Sequence, residues 1–182
     1  MSNTFSNISP KAKIGKGVKI ESFVTIGDDV EIGDNCWIGS NVNIMDGARI
    51  GNNCKIFPGA VISAIPQDLK FGGEKSIVRI GDNTTVREFA TINRATNYSG
   101  VTSVGENCLV MAYVHIAHDC HIANNVILVN SVQLGGHVEI AEHTIVGGIC
   151  AVHQFVKIGS YAMISGGSLV RKDVPPYIKV AK

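Results

Sequence analysis

Histidine is the side chain that most readily changes its protonation state near neutral pH, and this sequence concentrates its histidines. Five of the six lie within about thirty residues and the last follows shortly after: His115, His118, His121, His137, His143 and His153. His118 is followed directly by a carboxylate, Asp119. An imidazole beside a carboxylate is typical of general acid–base chemistry.

The spacing of these residues is as informative as their types. The interval from His118 to Gly136 equals the interval from Gly136 to Gln154, and it also equals the interval from Asp119 to His137. If the chain winds so that this interval is one full coil, the first three residues form one column and the other two form the neighbouring column. We therefore expect their side chains and amides to converge on one small patch.

A repeat of six residues indicates such coils. From Ile8 to Val170 the chain has 28 positions spaced six apart, and 25 of them are aliphatic. The three exceptions fall in two places where the pattern pauses and then returns in phase. The pauses predict two loops, near residues 66–79 and 97–103, that leave the scaffold and rejoin it.

A period of six fits neither a helix nor a simple alternating strand. Each hexad is predicted to be one short strand and one corner, so that three hexads close a triangular coil and coils stack about 4.8 Å apart. The predicted fold class is all-β: a left-handed parallel β-helix of about nine coils, filling residues 1–182 as a single domain with a short C-terminal extension over 171–182. Glycines that follow many aliphatic positions, with Asp–Asn and Asn–Asn pairs, are expected to form the turns.

Composition excludes several other classes. The 45% hydrophobic content with 17% charged residues excludes a disordered chain, and 16 basic against 15 acidic side chains indicate no nucleic-acid-binding surface. No stretch approaches the ~20 apolar residues that span a bilayer, and the first residues lack the apolar core of a secretion signal. We expect no membrane span and a cytoplasmic protein. The five cysteines occupy an interior slot of the repeat, and their odd number argues against a disulfide framework.

The histidine patch contains the parts of an acyl-transfer site. His118 as general base would deprotonate a hydroxyl as it attacks a thioester or ester carbonyl, which contributes about 10² to 10⁴ in rate. Asp119 would fix the tautomer of His118 and stabilise the imidazolium. The N–H of Gly136 would bind the developing oxyanion, a role worth roughly 3 to 4 kcal/mol.

Two other interpretations of the histidines stay open. A solvated corner histidine without a function is the ordinary expectation, and we keep it for His121 and His143. Imidazoles from neighbouring subunits of hexapeptide-repeat proteins can also converge on zinc, and stoichiometric zinc in the pure protein would support that interpretation. Our own expectation is that the protein uses neither a metal nor a cofactor.

Six segments carry a resemblance to one family. They are PQDLKFGGE at 66–74, INRAT at 92–96, HIAHDC at 115–120, GGHV at 135–138, AVHQF at 151–155 and DVPPY at 173–177. In this order, through essentially the whole chain, they resemble the UDP-N-acetylglucosamine O-acyltransferases of lipid A biosynthesis. A hexapeptide repeat alone is shared by many acyltransferases, whereas these segments are specific.

The resemblance implies transfer of a 3-hydroxyacyl group from acyl carrier protein to the glucosamine 3-hydroxyl of UDP-N-acetylglucosamine, within a homotrimer whose active sites lie between subunits. It implies that His118 is the base, Asp119 its support and Gly136 the oxyanion donor. Glycine at 166 would leave the acyl groove open to a longer chain. Contacts to the sugar nucleotide or to the acyl-pantetheine arm are implied for Asp68, Lys70, His115, His137, His153, Gln154 and, through the groove, Gly166.

Family members usually continue past the DVPPY-like segment into a helical domain that helps hold the nucleotide, whereas this sequence ends at Lys182. The sequence is therefore expected to be either a fragment or a protein that binds its nucleotide differently. Two other functions stay open: a related hexapeptide transferase that acylates an amino group of a nucleotide sugar, and a catalytically silent scaffold.

Overall fold

The protein is a parallel β-helix with three faces, described for residues 5–181 by a computed structural model. Its left-handed winding matches the predicted fold class. The first face contains Asn7–Ile8, Thr25–Ile26, Asn43–Ile44, Val61–Ala64, Thr91–Asn93, His115–Ile116, Gln133–Leu134, Ala151–Val152 and Leu169–Val170. The second contains Lys13–Ile14, Glu31–Ile32, Ala48–Ile50, Ile77–Ile80, Val101–Val104, His121–Ile122, Glu139–Ile140 and Lys157–Ile158. The third contains Lys19–Ile20, Trp37–Ile38, Lys55–Ile56, Thr85–Val86, Leu109–Val110, Ile127–Leu128, Ile145–Val146, Met163–Ile164 and Lys179–Val180.

Strand pairing confirms that three hexads make one coil. His115 lies beside Gln133 and Gln133 beside Ala151, so each of these pairings spans three hexads. Across the first loop, between Val61 and Thr91, the pairing spans five hexads, and across the second, between Thr91 and His115, it spans four. Each loop therefore adds whole hexads to an otherwise regular coil, which keeps the aliphatic pattern in phase.

Both loops end earlier than the sequence predicts. They occupy residues 65–76 and 94–100, because Ile77–Ile80 and Val101–Val104 are strands of the second face. These two strands pair along all four residues, and Val78 and Thr102 are fully buried. Pairing of the backbone and burial of these side chains extend the sheet into segments that the six-residue pattern alone assigns to loops.

The C-terminal segment continues the prism. The first face has nine strands in the described residues, so the chain makes eight turns between Ile8 and Val170. Residues 171–181, predicted to be an extension, add to this winding. Val174 forms a bridge to Ile158, and Lys179–Val180 pairs with Met163–Ile164.

The core is a narrow column of the repeating aliphatic side chains. From Ile26 to Val170 each aliphatic position of the register is at most 5% exposed. The five cysteines are also buried, and none of them is bridged. Because coils stack about 4.8 Å apart, branched aliphatic side chains fill the interior, and no Phe, Tyr or Trp of residues 5–181 is buried there.

Most corners turn through a residue in the left-handed conformation. This residue is the third after the aliphatic position, and it is Asn in several coils, such as Asn53 and Asn107. The glycines directly after the aliphatic position do not have positive φ, so the turn-forming role predicted for them is wrong. They allow coils to stack closely, since a Cβ on Gly105 would lie 2.7 Å from the backbone of Asn124.

The described residues contain no helix of the length and hydropathy needed to cross a bilayer.

Candidate active site

His118 and Asp119 lie on the first corner, which we define as the turns that follow the strands of the first face. They come directly after the strand His115–Ile116. Asp119 is the left-handed residue of its turn, with φ of 59°. Its carboxylate is fully buried, whereas the side chain of His118 is 14% exposed. His118 is therefore within reach of a ligand, and its acidic partner is shielded from water.

The carboxylate of Asp119 is held by the second loop. The backbone and hydroxyl of Thr96 both donate to it, the latter at 2.7 Å, and so do the backbone and hydroxyl of Ser99. Burial by itself raises the pKa of Asp119, but hydrogen bonds from Ser99, His118 and Thr96 outweigh it and hold the pKa below the ordinary value of 3.8. Asp119 is therefore ionised at neutral pH.

An ionised Asp119 fixes the tautomer of His118. Oδ2 of Asp119 lies 2.8 Å from Nδ1 of His118. Because the carboxylate can only accept, Nδ1 carries the proton, and in the neutral ring Nε2 keeps its lone pair. The free nitrogen lies on the edge of the ring that faces Gly136. A Cβ built on Gly136 would stand 2.7 Å from Nε2 and 2.6 Å from Cε1.

The amide of Gly136 lacks the side-chain acceptor that some equivalent amides have. In several turns of the second corner, which follows the second-face strands, the equivalent amide donates to an Asp or Asn oxygen of the next coil, as from Asp34 to Asn52 at 2.8 Å. At Gly136 the residue of the next coil is Gln154, whose side chain is exposed. Within residues 5–181 the buried N–H of Gly136 has no acceptor. Buried N–H groups without a partner are rare, so this one is available to an oxygen of a ligand.

His137 lies next to this pair in a cluster of rings. It stacks on Phe155 at 4.2 Å, meets Tyr98 edge-on at 4.5 Å and packs at right angles to His118 at 5.0 Å between ring centroids. Burial is the largest cause of the lowered pKa of His137; Asp119 and Asp68 oppose it, and His118 adds to it. The imidazole is therefore predominantly neutral at pH 7.

His115 is on the first face, directly before the corner. Its Nδ1 lies 2.7 Å from the hydroxyl of Thr91 in the preceding coil. Burial lowers the pKa of His115, and the nearby His118 lowers it further. The expected convergence of His118, Gly136, Asp119 and His137 is found.

Other residues expected at the site are not in contact with His118 in a single chain. His153 and Gln154 are exposed, and Nδ1 of His153 bonds to the carbonyl of Gln154 at 3.0 Å. Asp68 and Lys70 lie on the first loop, where Asp68 accepts from the Lys70 amide. Gly166 is on the third corner, which follows the third-face strands, beside the carbonyl of Gly148.

Sequence reasoning missed the residues that hold and enclose the pair. Thr96 belongs to the INRAT segment and Phe155 to the AVHQF segment, so their segments were found but their contacts were not. Ser99 and Tyr98 showed no signal of their own. A cavity of about 450 Å³ beside the pair is lined by Tyr98, Asp119, His137 and Phe155, among others. A cavity of about 580 Å³ on the second face does not include His118.

A β-helix of six-residue repeats with a histidine–aspartate pair at one corner is typical of the hexapeptide-repeat transferases. Residues 29–64 and 102–136 match the family described as bacterial transferase hexapeptide (six repeats). The structure superimposes on a UDP-N-acetylglucosamine acyltransferase from Bacteroides fragilis with a TM-score of 0.97 and 49% identity, covering 100% of this chain and 71% of that one.

Curated sequences agree. An acyl-[acyl-carrier-protein]–UDP-N-acetylglucosamine O-acyltransferase from Campylobacter curvus is 54% identical over 168 residues, which are 91% of this chain and 64% of the relative. The protein of the same name from Nautilia profundicola is 49% identical over 119 residues, 65% of this chain and 46% of the relative. The chain belongs to this O-acyltransferase family. It spans about half the length of most of the curated relatives it matches.

Proposed function

We propose that the chain transfers a 3-hydroxyacyl group from acyl carrier protein to the 3-hydroxyl of UDP-N-acetylglucosamine. The observation that carries this proposal is the His118–Asp119 pair, with the free imidazole edge beside the unpartnered amide of Gly136. The names of the relatives at 42–54% identity support the donor, the acceptor and the attack by oxygen. The 3-hydroxyl and the 3-hydroxyacyl chain come from the family resemblance.

The reaction follows from the positions of three groups. Nε2 of His118 accepts the proton of the sugar hydroxyl while the oxygen attacks the thioester carbonyl, and Asp119 stabilises the resulting imidazolium. The carbonyl oxygen becomes an oxyanion near the N–H of Gly136. Collapse of this intermediate breaks the C–S bond, and the imidazolium returns its proton to the departing thiolate. No bond to the enzyme forms.

Substrate contacts are proposed for the other polar groups around the first corner. His115, His137, His153 and Gln154 are on the same coils as the pair or on the next ones, and they would hold the sugar nucleotide or the acyl-pantetheine arm. Asp68 and Lys70 would contribute from the first loop.

A homotrimer would complete the site. Gly166 is on the third corner, so it could limit the acyl chain bound at a first corner only across an interface between subunits. Ile149, on the same third corner, is 76% exposed although it is β-branched and has φ of 59°. A strained and exposed apolar residue of this kind is typical of a contact surface. The cytoplasmic location expected from the sequence remains a prediction.

The test is product analysis by mass spectrometry, with acyl carrier protein thioesters of several lengths and UDP-N-acetylglucosamine. We expect an O-acylated product from the wild type, none from His118→Ala, and wild-type turnover from His143→Asn as the matched control. A fully active His118→Ala would refute the assignment of the base. Preference for an amino-sugar acceptor would favour the alternative N-acyltransferase, and no product from a folded wild type would favour the silent scaffold.

A further inference from the structure

We propose that His118, Asp119 and His137 also form a binding site for a divalent transition-metal ion, such as Zn²⁺, and that the bound ion blocks the proposed transfer.

The donor set fits such an ion. One ligand atom from each of the three residues lies within 4.8 Å of the other two. Two imidazoles and one carboxylate, with a fourth position left for water, are a common zinc ligand set. Bonds of about 2.0 to 2.2 Å would require the three atoms to close around the ion, and Asp119 to exchange one of its hydrogen bonds from Thr96, Ser99 or His118 for the bond to the ion. His118, which is partly exposed, offers an entry path.

His137 supplies an independent observation, because its Nδ1 is buried without a hydrogen-bond partner among the described residues. The ring nitrogen Nδ1 is bonded in four other histidines: His115 to Thr91, His118 to Asp119, His121 to Ser103 and His153 to Gln154. His143 is exposed to water. An unpartnered buried nitrogen is unfavourable, and a ligand bound to it would remove that penalty.

The bound ion would block transfer because it would use His118, the residue that the proposed reaction also needs. Coordination of His118 would engage the imidazole that must accept the proton of the acceptor hydroxyl. This regulatory part rests on the proposed function, whereas the binding of the ion does not.

The binding test uses Co²⁺, which has visible absorption bands when it is bound by imidazole and carboxylate, with the chelator-treated full chain. The two variants are His137→Asn and His143→Asn. These histidines are closely matched: both occupy left-handed corner positions, with φ of 64° and 59°, and each stacks on a ring, Phe155 or Tyr161. Asn already occupies this corner position in other coils, so both variants should fold.

We expect one Co²⁺ per chain for the wild type and for His143→Asn, and an affinity at least ~10-fold lower for His137→Asn. No Co²⁺ bands in the wild type, or equal affinity in His137→Asn, would overturn the site. If circular dichroism shows His137→Asn unfolded, His118→Asn replaces it as the test of binding.

The inhibition test compares transfer at increasing Zn²⁺ with and without excess chelator. We expect Zn²⁺ to stop transfer by the wild type and the chelator to restore it. Stoichiometric binding with unchanged transfer would overturn the regulatory part. Absence of transfer even in the metal-free protein would contradict the proposed function, and the Co²⁺ titration would still decide the metal site.

Discussion

The imidazole of His118 occupies the space in which a side chain on Gly136 would stand. The two residues are on adjacent coils at the same corner, and a Cβ on Gly136 would come within 2.6 Å of the ring. Glycine at this position is therefore required by the close approach of the His118 ring.

Replacing Gly136 with Ala should displace the imidazole and lower transfer by at least about 100-fold, the lower range of what a general base contributes. Steady-state turnover measures the effect. Gly148→Ala is the matched control: it has the same position after its aliphatic residue, but its Cβ would meet only atoms at 3.3 Å or more. Equal activity of Gly136→Ala and the wild type would contradict the position of His118.

Ser99→Ala should change the pH dependence of stability. A carboxylate with a depressed pKa stabilises the folded state above its unfolded pKa, and this contribution is lost as pH falls through the folded pKa. Without the Ser99 hydroxyl, the pKa of Asp119 should move up towards 3.8. The variant should be about 1 to 3 kcal/mol less stable at neutral pH, and it should lose less stability on acidification.

Denaturant unfolding at a series of pH values measures this difference, and Ser99→Thr, which keeps a hydroxyl, should recover most of it. Parallel stability curves for Ser99→Ala and the wild type between about pH 5 and about pH 2 would show that Ser99 does not help to keep Asp119 ionised.

Gly105→Ala should lower the free energy of unfolding by about 1 to 3 kcal/mol, because its Cβ would overlap the backbone of the next coil at 2.7 Å. Gly72→Ala in the first loop is the control. Its nearest atom would be Oε2 of Glu74 at 3.5 Å, and we expect a change within about 0.5 kcal/mol. Equal thermal and denaturant midpoints for the two variants would argue against close stacking at the glycine positions.

Ile149→Asn should dissociate the proposed trimer although it relieves left-handed strain of about 1 to 2 kcal/mol within each chain. Sedimentation velocity measures dissociation of the trimer separately from the relief of strain within each chain. Tyr161→Asn, at the second corner with φ of 58°, is the control that should leave the assembly intact. An intact trimer with a higher melting temperature for Ile149→Asn would place Ile149 outside the interface.

Periodicity predicted the features that depend only on the winding. The aliphatic positions of the repeat predict which side chains form the core. The interval between His118 and Gly136 equals one coil of three hexads, so the two residues are predicted to be in contact. Asp119 follows His118 in the sequence, so their pairing needed no long-range information. These features were predictable because each coil repeats the geometry of the previous one.

Features outside the register were not predictable in this way. Ser99 reaches Asp119 from a loop, and no spacing rule determines where a loop folds back. The alignment of Gln154 with Gly136 was correct, yet its side chain is exposed, since a shared column fixes a backbone position and not a rotamer. Glycines after the aliphatic positions were assigned to turns because sequence alone does not distinguish left-handed backbone from close stacking.

Among the described residues, strands pair only between consecutive coils. The molecule therefore behaves as a one-dimensional stack, in which each coil is stabilised by its neighbours. Ile14, near the start of the stack, is 38% exposed, whereas Ile116, beside the site, is fully buried. The first coils should fray on gentle heating while the proposed reaction centre, several coils away, stays intact. The proposed transfer activity would then persist after the first loss of the circular dichroism signal of β structure.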